Sequence, residues 1–341
     1  MAFKIAIIGC GNMSAYVHGP ALARYALTHP GTELAACCDL DEKRVAAYRE
    51  RFGFLRHFTN LDTMLETVRP DAVSLVVREH DTAKLGCHIL KKSFPLILEK
   101  PPGVNIRELR SLIRTADVRQ VPHQVAFNRR YHPVLRALKK QAGSPGELHI
   151  RYTMTRVKRL DADFSHTAIH ALDAMRFLAG SDYARAAIGY RHFPELGPTV
   201  ANVFLDCAFV SGATAQLTIC PVTGTSVERA EVYALDNFWC GELEAVPGAP
   251  EMPGALRHFK DGKCSAEFSG AALAGGTEYF LTNGFYAENE AFFDAVRNGT
   301  RPVDDLRSCV QAVALAQALR ERRSAVRFRS IHRPACRELG G

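Results

Sequence analysis

Three short segments of the 341-residue chain carry side chains suited to chemistry. The first is Gly9-Cys10-Gly11-Asn12-Met13-Ser14, between the apolar run Lys4 to Ile8 and a helical pattern. Gly9 permits a tight turn, and Gly11 lets a pyrophosphate approach the backbone. A helix N-terminus just beyond offers free N–H groups and the positive end of a dipole. Ser14 stands where a third glycine or alanine is usual, and it is small enough for close helix–strand packing. Asp39 ends the second strand candidate, placed to accept hydrogen bonds from an adenosine ribose. A carboxylate there repels a 2′-phosphate, so NAD(H) is the favoured cofactor. Lys43 and Arg44 follow within a turn and can serve a phosphate, which keeps NADP(H) as the alternative. Asn12 and Met13 join Gly9, Gly11 and Asp39 as expected cofactor contacts.

The second segment is Glu99-Lys100-Pro101-Pro102, at the C-terminal end of another strand candidate. Ligands of open α/β sheets bind at that edge. A lysine there donates to a substrate oxygen, and the prolines stiffen the turn that aims it. A surface lysine in a proline turn would carry the same pattern. The third is His166, His170 and Asp173, whose spacings of four and three share one helix face. A histidine suits removal of a hydroxyl proton near neutral pH. Two histidines and a carboxylate also match the donors of an iron or zinc site. Thr167 stands where H-E-x-x-H carries its glutamate, and no metal is expected.

The elements that must position these groups change character along the chain. The first third alternates strand and helix patterns. Strand candidates are Lys4 to Ile8, Glu33 to Cys38, Asp71 to Val77, Pro95 to Leu98 and Val121 to Phe127. Helical patterns cover 15–27, broken at Gly19-Pro20, then Asp41 to Phe52 and Thr82 to Leu90. That alternation predicts a parallel sheet with helices on both faces. From Gly146 on, alternating strands dominate, with a helix from His166 to Leu178 that stops at Gly180. Asp261-Gly262 marks a hairpin, residues 246–276 are rich in Gly, Ala and Pro, and two helices, Phe285 to Arg297 and Val303 to Arg322, close the chain. The expected architecture is a doubly wound parallel Rossmann sheet over residues 1–122. An α+β domain with an open, mainly antiparallel sheet follows over 123–341.

Composition excludes several classes. Hydrophobic residues make up 47% and charged residues 23%, which is ordinary for a folded globular chain. No apolar run approaches membrane-spanning length, and the start does not match a secretory signal. Ten cysteines without C-x-x-C spacing read as reduced thiols of a cytoplasmic protein. The net charge of +7 comes mostly from 320–337, where seven arginines face only Glu321. Such a run reads as a solvated helix end and tail, so nucleic-acid and membrane partners are not expected.

In this order, the three segments resemble the Gfo/Idh/MocA family of sugar and cyclitol oxidoreductases. The likeness extends through CCDLD at 37–41, EKPPG at 99–103, AFNRRYHPVL at 126–135 and PGELHIRY at 145–152. It continues with IHALDAMRFLAG at 169–180 and YAENEAFFDAVRNGTRPV at 286–303. The resemblance implies that Lys100 is the catalytic lysine and His170 the acid/base histidine, with His166 beside it. It also implies that Asp173, Arg129 and Lys100 bind substrate, and that Arg78 and Glu99 lie along the cofactor. Three positions depart from the family. His166 stands where an aspartate is usual four residues before the histidine. Arg78 and Thr82 replace a proline and a histidine after the fourth strand. The implied activity is NAD(P)-dependent hydride transfer at a hydroxyl or carbonyl carbon of a sugar-like or cyclitol-like molecule. A C=N or C=C reductase, or a nucleotide-sensing regulator, on the same scaffold remain the alternatives. Family members commonly pair through the open sheet, which implies a homodimer or homotetramer.

Overall fold

Ile5-Ala6-Ile7-Ile8 is apolar without alternation, the pattern of a strand buried on both faces. It lies at the centre of a six-stranded sheet as part of β1 (Phe3–Ile8). The structure, a computed structural model, describes residues 2–143, 145–161, 163–244 and 254–328. On one side β1 pairs with β2 (Thr32–Cys38) and then β3 (Arg56–Phe58). On the other it pairs with β4 (Ala72–Leu75), followed by β5 (Leu96–Glu99) and β6 (His123–Ala126). Every pairing is parallel. The crossovers are α1 (Gly19–Thr28), α2 (Glu42–Phe52), α3 (Leu61–Val68), α4 (Glu79–Lys91) and α5 (Ile106–Arg119). Side chains of Asp41, Asn60 and Asn105 accept the amides three residues on and so cap α2, α3 and α5.

Two local expectations shift. Gly19-Pro20 does not break the first helix. A π-helical turn, Ser14–His18, runs directly into α1, whose first two positions they fill. The Gly19 amide still bonds the Ser14 carbonyl, so the chain is helical up to Pro20, which lacks the N–H to continue the π pattern. A Cβ on Gly19 would lie 2.6 Å from the Phe52 ring. The change of pattern also comes one strand later than residue 122, since β6 pairs with β5 and completes the first sheet.

The second sheet has nine strands, and helices α6 (Pro133–Ala142) and α7 (Ser165–Ala179) pack on it. Its strands in chain order are β7 (His149–Thr155), β8 (Tyr183–His192), β9 (Ala201–Phe209) and β10 (Thr214–Cys220). They continue with β11 (Glu228–Ala234), β12 (Asn237–Leu243), β13 (Ala255–Lys260) and β14 (Lys263–Ser269), and β15 (Ala325–Arg327) completes the set. The spatial order is β14-β13-β12-β11-β7-β10-β9-β8-β15. All pairings are antiparallel except β7 with β10. Burial alternates along β9, and its outward Phe204 and Asp206 are exposed, as on a sheet with one solvated face. Asp261 and Gly262 form the expected hairpin turn, both at positive φ. The middle of the Gly/Ala/Pro-rich stretch, 245–253, lies outside the described residues, as do Arg329, Arg333 and Arg337.

Short helices α8 (Gly270–Ala274) and α9 (Tyr279–Thr282) lead into α10 (Phe285–Arg297), and α11 (Val310–Arg320) follows. Helix α10 returns to the first domain. Its Phe292 and Phe293 are fully buried in the same cluster as Ile5, Leu22 and Tyr25. Tyr25 Oη donates to Asp294 over 2.8 Å, and Arg297 Nη1 donates to Thr32 Oγ1 over 2.8 Å. Helix α10 is therefore packed into the first domain although it follows the second sheet in the chain.

Candidate active site

The C-terminal ends of β1, β2, β4 and β5 bring Gly9, Asp39, Arg78 and Glu99 to one edge of the first sheet. Gly9 is there for two reasons. Its φ is +92°, and a Cβ would lie 1.9 Å from the Val76 carbonyl oxygen. Gly11 has nothing within 4 Å of a built Cβ, so its backbone is open to an approaching ligand. Asn12 and Met13 are exposed beside it. Ser14 is buried, and its hydroxyl donates to Tyr48 Oη over 2.9 Å, so it packs the helix start rather than facing the cleft. Asp39 organises the turn: its carboxylate accepts from the Cys10 amide at 2.8 Å and the Asp41 amide at 3.0 Å. Half-exposed Arg44 reaches the same carboxylate at 3.2 Å. Arg78 is exposed at the N-terminus of α4.

Glu99 does not face the cleft. Oε1 lies 2.8 Å from His18 Nε2, and Oε2 accepts from the Lys100 amide at 2.9 Å. Burial alone would raise its pKa, but His18 and Lys100 hold it below the usual carboxylate range. Glu99 thus anchors the turn that carries Lys100. The Lys100 ammonium donates to the main-chain carbonyl of His166 over 3.2 Å, in the first turn of α7. Burial, opposed by Glu99 and reinforced by Arg129, lowers its pKa.

One turn along α7, His170 is buried, and its Nδ1 has no hydrogen-bond partner among the described residues. Burial, then Arg129 and Lys100, hold its pKa well below the ordinary histidine range. Around it, Glu228 accepts from Arg129 Nε at 3.0 Å and Nη2 at 2.9 Å, from Arg156 Nη2 at 2.5 Å and from Tyr152 Oη at 2.7 Å. Arg129 Nη1 also donates to Asn128 Oδ1 over 3.1 Å. The expectation that Arg129 meets substrate therefore changes: its guanidinium is spent on fixing Glu228 and placing positive charge near His170. Asp173 changes in the same way. Its side chain is fully buried, and both oxygens pair with Arg130, at 2.7 Å from Nε and 2.5 Å from Nη2. Arg130 also holds Asp304 at 2.6 Å. Asp173 thereby ties α7 to neighbouring elements instead of reaching the cleft.

His166 is not beside His170 as a catalytic partner. Its Nδ1 lies 3.2 Å from Glu79 Oε1, and its Nε2 lies 3.1 Å from Asp163 Oδ2. Lys100 comes from the first domain and meets the main chain of His166 where the two domains come together. Glu79, Asp163, Arg156, Glu228 and His18 were not singled out in the sequence. The only signal was indirect: Asp163 lies in DADFS, just before α7, and Glu79 follows Arg78.

A glycine turn with an open backbone, on the same sheet edge as a half-buried lysine that meets the helix of a buried histidine, defines a two-domain nicotinamide-type oxidoreductase scaffold. Residues 3–127 match the family model described as an oxidoreductase family with an NAD-binding Rossmann fold. Over 257 residues the chain is 27% identical to D-apiose dehydrogenase of Paraburkholderia graminis, covering 67% of this chain and 66% of that protein. It is 26% identical to inositol 2-dehydrogenase of Burkholderia cenocepacia over 88% of this chain and 87% of the relative. Among solved structures, an oxidoreductase from Agrobacterium radiobacter in complex with NAD+, L-tartaric acid and magnesium superposes with a TM-score of 0.75. That match is 18% identical and covers 96% of this chain and 98% of that one. The first domain thus matches the Gfo/Idh/MocA oxidoreductase family over residues 3–127, and the chain as a whole is similar to named sugar and cyclitol dehydrogenases.

Proposed function

We propose that this chain moves a hydride between a nicotinamide and a hydroxyl or carbonyl carbon of a sugar-like or cyclitol-like substrate. The observation that carries the reading is the meeting of Lys100 with the helix that bears His170, at the sheet edge occupied by the Gly9 turn. The cradle suits the dinucleotide: Gly9 admits no Cβ, Gly11 is open, and Asp39 holds the Cys10 amide in place. When bound, the nicotinamide supplies the hydride acceptor or donor. His170 takes the substrate hydroxyl proton in the oxidative direction and returns it in the reductive one. Its depressed pKa keeps the free ring neutral at neutral pH, the form that accepts a proton, at a cost in basicity. Lys100 donates to the same substrate oxygen, with its turn anchored by Glu99. NAD(H) is favoured by Asp39, with Arg44 beside it as the group that would serve a 2′-phosphate.

The test is a fluorescence titration with NAD+ and with NADP+, followed by a panel of polyols and aldoses read at the NADH absorbance. The native chain should bind a dinucleotide and oxidise a member of the panel. Binding of neither dinucleotide would sink the reading. Asp39→Ala removes both the ribose acceptor and the repulsion, so the NAD+/NADP+ affinity ratio should fall. An unchanged ratio would remove Asp39 from cofactor choice.

A further inference from the structure

We propose that Glu79 is a positioning residue of this site. It reaches from the first domain across the cleft to hold the His166 side chain, and so keeps the first turn of α7 in place during turnover. The inference rests on the dehydrogenase reading above. Glu79 is the first residue of α4, and its Oε1 lies 3.2 Å from His166 Nδ1. On the other side of the ring, Asp163 Oδ2 is 3.1 Å from Nε2. Asp163 is itself fixed: Arg320 Nε lies 2.6 Å away, and the Ser165 amide donates to it over 2.9 Å. Asp163 is local to His166 in sequence, whereas Glu79 comes from the other domain. Both carboxyls stay ionised. Burial opposes this for each, and His166 helps hold each below the usual carboxylate range.

The first domain grips His166 at a second point, since Lys100 Nζ donates to its main-chain carbonyl over 3.2 Å. The two grips have different duties. Lys100 must also donate to the substrate oxygen, and its contact with the carbonyl is then stretched or shared. The Glu79–His166 contact has no part in the chemistry and stays available. It therefore keeps α7, and His170 one turn further on, at a fixed distance from the cofactor edge while Lys100 works. A small displacement of His170 would be felt in the chemical step, because proton transfer needs hydrogen-bond distance.

The experiment uses the full chain with its preferred dinucleotide and whichever panel substrate the native protein oxidises. Glu79→Gln keeps shape and removes charge. It should lower kcat about 10-fold, the lower end of what loss of an orienting partner costs. Dinucleotide affinity and the thermal midpoint should stay near the native values. Glu79→Asp should restore much of the loss. His166→Gln should lower kcat by a similar factor, and the double variant should fall no further than either single one. An unchanged kcat in Glu79→Gln, or multiplicative losses in the double variant, would overturn the proposal. A fall in kcat that tracks a lowered thermal midpoint and is not rescued by aspartate would overturn it too. If the native chain oxidises nothing, the functional reading fails by itself. Hydrogen exchange of the amides in the first turn of α7 then decides the grip: equal acceleration in Glu79→Gln, His166→Gln and the double variant supports it, and native exchange rates in Glu79→Gln refute it.

Discussion

His166 and His170 are one turn apart on α7, yet the two ends of that turn lie in opposite electrostatic surroundings. At the mouth of the cleft, His166 sits between two carboxylates, Glu79 and Asp163, at 3.2 and 3.1 Å. Deeper in, His170 faces Arg129, Lys100 and Arg156, with Glu228 the carboxylate among them. The same residue type on the same helix face is therefore given different work. The acidic mouth ties a histidine down. The basic floor holds the pKa of a histidine down, which suits the proton acceptor proposed above. Environment separates the two roles, as it does wherever paired titratable groups divide acid from base duty.

The largest effect should distinguish the two ends directly. His170→Ala should lower turnover by roughly 10²–10⁴-fold, the range for loss of a general base. His166→Ala should act only through placement and fall well short of that. Dinucleotide affinity should be little changed in the first variant. Steady-state kinetics beside a dinucleotide titration measure both. Equal losses in the two variants would erase the division between mouth and floor, and full activity in His170→Ala would remove the mechanism.

The next effect is on stability, and it belongs to the floor. Glu228 is fully buried and is the shared partner of Arg129 and Arg156. Burial pushes its pKa up, yet the two arginines hold it well below the carboxylate range. Glu228→Gln keeps the shape but leaves two buried guanidinium groups facing a neutral amide. Breaking one side of a buried ion pair typically destabilises by about 3–5 kcal/mol. Urea unfolding at neutral pH should show a loss of that order. A loss below about 1 kcal/mol would mean that water already reaches the floor and screens it.

How much of this was legible before the structure depends on the range of the interaction. Gly9, Gly11 and Asp39 declare themselves because the turn, the strand end and the helix start are consecutive, and the local backbone demands glycine. Lys100 and His170 were legible by place and spacing. What opposes each side chain was not. Spacing of three put Asp173 on the face of His170, but a helix face is an azimuth, and a different element meets it at each level. At the level of Asp173 that element carries Arg130, more than 40 residues earlier in the chain. Arg129 was read as a substrate ligand, and nothing near it in sequence announced Glu228, 99 residues on. Glu79 escaped for the same reason: it becomes meaningful only where the start of α4 meets α7. The first sheet could be read as one domain because its strands are continuous apolar runs. β6 was assigned to the wrong side of the boundary because it is a four-residue edge strand with a polar start.

The smallest effect is a slope, and it tests how far the basic floor extends. His132 caps α6, where its Nδ1 accepts the Val134 amide at 3.2 Å, and it lies beside Arg129. Burial and then Arg129 push its pKa down to about 3. His170 is depressed by the same burial and the same arginine. In the unfolded chain both rings titrate near 6.5. Between the folded and unfolded values, the unfolded chain binds one more proton per ring. Their contribution to stability must therefore rise with pH across that window and fall on acidification below about 6.5, continuing toward pH 3 for His132. Each ring contributes up to about 1.4 kcal/mol per pH unit. Buried Glu288, whose pKa burial raises well above the carboxylate range, adds a slope of opposite sign in the same window, so the share of His132 is read from the difference between the native chain and a variant. His132→Asn keeps a capping acceptor at the start of α6 and removes one titrating ring. Its unfolding free energy should change less steeply with pH over that interval, by close to one proton, while the part due to His170 persists. Identical slopes in the native chain and the variant would show that His132 takes up its proton without unfolding. The positive field of Arg129 would then end at His170.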